Sequence, residues 1–159
     1  MNLYLLLKTL HIVSSVVLVG TGFGSAFYLF MTNRSGSVAA QAVVSRLVVK
    51  ADWWMTTPAV IVQPLSGIAL AHLAGWPLTT PWIALALGLY VLAGLCWLPV
   101  VALQIRMARI ADTAARSGQT LLPIAYWRMA RWWEGLGYPA FAAMVVVFWL
   151  MVFKPPLWG

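Results

Sequence analysis

The chain has 159 residues, of which 63% are hydrophobic and 8% charged, with a formal net charge of +7. A soluble domain carries about 25% charged residues, so a water-soluble surface is excluded and the class is integral membrane. The basic balance does not indicate nucleic acid, because the arginines and lysines lie mostly between apolar stretches, as topology-setting loop charges do. A single cysteine, Cys96, excludes a disulfide within the chain.

A membrane helix needs about 20 mostly apolar residues. The first such span covers about residues 3–31. Its apolar stretch "LLLKTLHIVSS" carries two ionisable groups, Lys8 and His11. Lys8 is near the helix start and can snorkel to the headgroups. His11 lies about 13 Å in, at about 1.5 Å per residue, too deep for its short ring to reach water. It therefore needs a hydrogen-bond partner, a metal or a haem iron. Lys8, His11, Ser15, Leu18, Gly22 and Ser25 follow one helical face, which is expected to point into the bundle. Gly20 and Gly24 form a GxxxG spacing that suits close helix approach, within the bundle or between copies of the chain. The "GTGFGS" around them sits inside an apolar helix, not a strand–turn–helix unit, so it is not a dinucleotide loop.

The link to the second span holds Arg34, Arg46, Lys50 and Asp52, and Ser37 is placed to cap a helix through Lys50 that continues into that span. The second span covers about residues 53–75. Pro58 and Pro64 fall at membrane depth, and each leaves a carbonyl that a neighbour must satisfy. Gln63 between them suggests a bent helix lining a cavity. His72 is nine residues from Gln63, on the opposite face of a regular helix unless Pro64 shifts the phase.

"GWPLTTP" follows without charge. The third span covers about residues 82–104 and is expected to extend to about Arg116, where "SGQTLLP" breaks it. The next link is rich in arginine (Arg106, Arg109, Arg116, Arg128, Arg131), and the fourth span covers about residues 135–153. Met144 and Met151 share a face of it. The positive links place both termini and the uncharged link on the periplasmic side and extend the helices on the cytoplasmic side. Trp53, Trp54, Trp76, Trp82, Trp132, Trp133 and Trp158 fall near span ends and are expected at the headgroup level. Asp52 and Glu134 are expected to pair with Arg46, Lys50, Arg128 and Arg131, and Asp112 to be solvated. The expected fold is all-α: a single-domain (residues 1–159) four-helix bundle of the membrane.

The stretches "LKTLHI", "TTPAVIVQPLSGIALAHLAGW" and "LMVFKPPLW" resemble, over about half the chain, the four-helix membrane protoporphyrinogen oxidase of bacteria. That resemblance implies haem b, with His11 matching the first-helix histidine of that family. "HIVSSVVLVGTGFGSAFYLF", "ADWWMTTPAVIVQPLSG" and "LAGLCWLPVVALQIRM" look like the signature of a family of bacterial predicted integral membrane proteins of unknown function. This second resemblance covers nearly the whole chain. The third span lacks the lysine and histidine of the oxidase family, so fold and haem binding carry over as expectations and the reaction does not.

The sequence thus points to a multi-pass protein of the bacterial inner membrane that binds haem b or another porphyrin for electron transfer or porphyrin-linked redox chemistry. His11 is the candidate axial ligand, with His72 or a methionine as second ligand, Lys8 facing a propionate and Gln63 beside the group. Porphyrin or quinone and a second copy of the chain are the expected partners besides lipid. Two rivals remain: a subunit, chaperone or small-solute pathway protein without cofactor, and a metal-binding protein using His11 and His72.

Overall fold

Runs of apolar residues this long leave the backbone no solvent partner in lipid, so it must bond to itself in helices. The protein, a computed structural model, is described here over residues 2–157, which leaves Trp158 outside the described residues. Helix α1 spans Leu3–Asn33, α2 Val38–Ala51, α3 Thr57–Leu73, α4 Pro81–Arg116 and α5 Ile124–Phe153. No strand occurs among the described residues. Four helices are long and apolar enough to cross a membrane, with α2 and α3 counted as one continuous rod from Val38 to Leu73. The expected all-α, four-span architecture is therefore present. Every span runs further than the apolar stretch alone, α5 by more than two turns at its start.

Ser37 caps α2, its hydroxyl accepting from the Ala40 amide at 3.3 Å. Between α2 and α3 the helix widens into one π-helical turn, Asp52–Thr56. Proline accounts for this: Pro58 has no N–H for the carbonyl four residues back. The ladder shifts by one residue, and the Thr57 amide and hydroxyl both bond to the Asp52 carbonyl, the hydroxyl at 2.8 Å. Pro64 withholds a second donor, from the Val60 carbonyl. Here Tyr90 of α4 supplies it, its hydroxyl donating to Val60 O at 2.6 Å. Tyr90→Phe is expected to orphan that carbonyl and destabilise the protein by about 1–3 kcal/mol, read as a lower thermal midpoint in detergent.

The helices associate as two pairs, α1 on α3 and α4 on α5, while α2 packs against α4 and α1 and ties the pairs together at one end. The core lies at that end. Leu29, Val48, Met107, Ala111, Tyr126 and Ala130 are buried there, and alanines on α4 let α2 and α5 approach closely. Tyr126 is fully buried, its hydroxyl donating to Asn33 Oδ1 at 2.6 Å. Away from this core the large apolar side chains, such as Val16, Leu65, Leu95 and Val152, point outward, as lipid-facing surfaces require.

Two expectations about charge are corrected. Asp112 is not solvated but receives Arg46 and Arg116, the latter at 2.8 Å, because α2 lies along α4. Asp52 pairs with no basic side chain among the described residues, and Glu134 is approached by Arg34, at 3.7 Å. Asp52 continues α2 in regular phase, its amide bonding to the Val48 carbonyl, so at about 100° per residue it lies on the far side of the helix from Lys50. At Gly20 and Gly24 an added Cβ would meet nothing within 4 Å, so no helix of the chain packs on that GxxxG pair.

Candidate functional site

Of the expected stripe on α1, His11, Leu18, Gly22 and Ser25 face the interior of the bundle. Ser14, not Ser15, is buried, and Ser15 bonds only to the Ile12 carbonyl. His11 turns toward α3. Its Nδ1 is 2.9 Å from Ser66 Oγ and its Nε2 3.2 Å from Gln63 Nε2. The Ser14 hydroxyl donates to Gln63 Oε1. One proton arrangement satisfies every group: Nδ1 carries the hydrogen and donates to Ser66, Ser66 donates to the Val62 carbonyl at 2.7 Å, and Gln63 donates to the bare Nε2. The ring lies on the backbone of Gly67, where a Cβ would come within 3.0 Å of His11 Cε1.

The candidate residues therefore divide. His11 and Gln63 are brought together. His72 is exposed in the last turn of α3, on the face opposite Gln63, and Pro64 does not rotate it inward. Lys8 is exposed too, with its ammonium 6.0 Å from the Tyr4 ring. No group of three or more His, Cys, Asp or Glu among the described residues is arranged to hold a metal ion. Both nitrogens of His11 face partners on α3. What they do chemically is fasten α1 to α3. Gln63→Leu is expected to strand Nε2 while Ser14 falls back on the His11 carbonyl, 3.0 Å away. The stability loss should be on the order of 1 kcal/mol, measurable by chemical denaturation in mixed micelles.

A second site, which the sequence reading did not assemble, lies between the two helix pairs. A half-open cavity of about 370 Å³ is walled by α1, α3, α4 and α5, with Phe27 and Tyr138 exposed at its mouth. Leu18, Gly22, Phe23, Ala93, Trp97, Gly137, Phe141 and Met144 make it largely apolar. Phe23 and Phe141 pack against each other from α1 and α5, ring centroids 4.2 Å apart and planes tilted by 46°. One end is polar. There Asp52, 5% exposed, accepts from the Gln104 amide at 2.6 Å, and Gln104 in turn accepts from Trp133 Nε1 at 3.2 Å. Thr56, 3% exposed, lines the same end, and its hydroxyl has no hydrogen-bond partner. Glu134 completes the wall. Trp133, expected at the headgroups, is thus buried as a donor inside the bundle. The cavity takes Val60 and Thr56 from the proline-flanked segment rather than Gln63.

The family model described as predicted integral membrane protein (DUF2269) matches residues 5–155. The chain belongs to this family. No curated protein and no solved structure matches it. The resemblance to a family of predicted integral membrane proteins thus holds for nearly the whole chain, whereas that to the four-helix oxidase finds no support in these comparisons. In this DUF2269 protein the signal for the second site was present as "ADWWMTTP": an acid and two threonines just ahead of a proline inside an apolar helix.

Proposed function

We propose that the protein holds a membrane-borne amphiphilic molecule in the cavity between its helix pairs, with the polar part of that molecule at Asp52, Thr56 and Gln104. A single observation carries this reading: an apolar space inside a bilayer-spanning bundle that ends on a small, convergent polar set. Ligand sites have this composition, and the volume lies within the usual range of about 300–1,000 Å³. Asp52, at the boundary of the second span, is buried inside the bundle without a basic partner among the described residues, which marks it as a candidate functional position. With the basic links in the cytoplasm of a bacterial inner membrane, the polar end lies toward the cytoplasmic leaflet.

The polar and apolar parts suit a quinone, a porphyrin or another lipophilic small molecule. Ligation of haem b by His11 is a narrower proposal with less support, because Nε2 must first exchange Gln63 for iron. Protein purified from haem-replete cells in a mild detergent, followed by solvent extraction and mass spectrometry, tests both. The expected result is a molecule bound near one per chain and distinct from bulk lipid. Extracts that contain only bulk lipid in proportion to the detergent overturn the cavity reading. A Soret band that disappears in His11→Ala would instead establish haem ligation at that residue.

A further inference from the structure

The polar end of the cavity is short of positive charge. Asp52 has an amide donor on Oδ2 and no basic partner among the described residues. Glu134 lines the same space, and its neighbour Arg34 stands half exposed, held to the Phe30 carbonyl at 3.1 Å and lying over the Phe30 ring. The Thr56 hydroxyl, in the same wall, is buried without a partner. Trp97, Trp133 and Tyr138 complete that wall with aromatic surface. Removing a carboxylate from water is costly unless a cation or several donors compensate, and here only neutral groups, the Gln104 amide and the neighbouring Thr56 hydroxyl, stand beside it. Aromatic faces attract cations and add nothing for an anion.

Building on the cavity reading above, we infer that the occupant is a lipophilic amine or other amphiphilic cation, its positive head against Asp52 and its apolar body between the helix pairs. The geometry disfavours an anionic head, which would face two carboxylates. A neutral head would leave Asp52 held by neutral groups alone, either charged at a cost or protonated. Thr56 adds an oxygen that can accept from an ammonium N–H.

The test compares two fluorescent probes of the same body, diphenylhexatriene and its trimethylammonium derivative, with the full chain in nanodiscs of phosphatidylcholine. Saturable energy transfer from protein tryptophans is read against empty discs. The cationic probe is expected to bind at least about tenfold more tightly than the neutral one. Asp52→Asn, which keeps the shape and the Gln104 contact, is expected to abolish that preference. Equal affinities in the unmodified protein overturn the cation assignment while leaving the cavity reading in place. If neither probe binds saturably, both readings fail. Should Asp52→Asn not fold, the comparison of the two probes on the unmodified protein decides, and Glu134→Gln is expected to narrow the preference severalfold.

Discussion

Gly67→Leu is expected to lower the thermal midpoint by about 6–10 °C. A Cβ at this position would stand 3.0 Å from His11 Cε1. The ring has no freedom to retreat, because Ser66 holds one nitrogen and Gln63 the other. A leucine must therefore push α1 away from α3 or break both hydrogen bonds. Overpacking costs about 1–3 kcal/mol, and each interhelical hydrogen bond lost inside a bundle adds about 0.6 kcal/mol. The control is Gly20→Leu, where an added Cβ meets nothing within 4 Å. Melting followed by size-exclusion chromatography in detergent checks the pair. Equal midpoints for the two variants would mean that the His11 cluster does not fasten α1 to α3.

Much of this fold was legible because it depends on local rules. Apolar runs set the helices, Ser37 announced the cap of α2, and "SGQTLLP" marked the end of α4. The burial of His11 was legible as well, since a short ring that deep cannot reach water. Its partners were not. Ser66 and Gln63 are more than 50 positions away, and only the register of α1 against α3 selects them. Pro64 declared that the Val60 carbonyl would need a donor, but nothing in the chain singled out Tyr90. Asp52 and Trp133 show a different gap. Each lies at a predicted span boundary, where acids ordinarily pair with nearby arginines and tryptophans ordinarily sit at headgroups. Those rules use distance along the chain, whereas direction around the helix decides burial. Asp52 follows α2 in regular phase and so faces away from Lys50, and the extension of α5 to Ile124 places Trp133 well inside a helix rather than at its end. Gln104, the residue that joins the two, closes the apolar part of its span, and only the packing of the neighbouring helices against α4 selects its partners.

Gly137→Leu is expected to act in the opposite sense to Gly67→Leu: a stability gain and a loss of binding. Gly137 lines the cavity from α5, and an added Cβ there would meet nothing within 4 Å. Leucine removes the helix penalty of glycine, about 0.8–1 kcal/mol, and fills empty space with new dispersion contacts. The midpoint of the ligand-free protein should rise by about 2–4 °C. The same side chain occupies the space that the amphiphile's apolar body needs, so affinity should fall at least about tenfold, and the molecule recovered by solvent extraction should drop with it. Stability and binding moving apart is the informative outcome, since a damaged fold would lower both. Gly137→Ala, which fills less of the space, should give an intermediate binding loss. Full retention of the bound molecule in Gly137→Leu, with the midpoint raised, would show that the occupant lies outside this cavity and would remove the basis for assigning Asp52 a ligand.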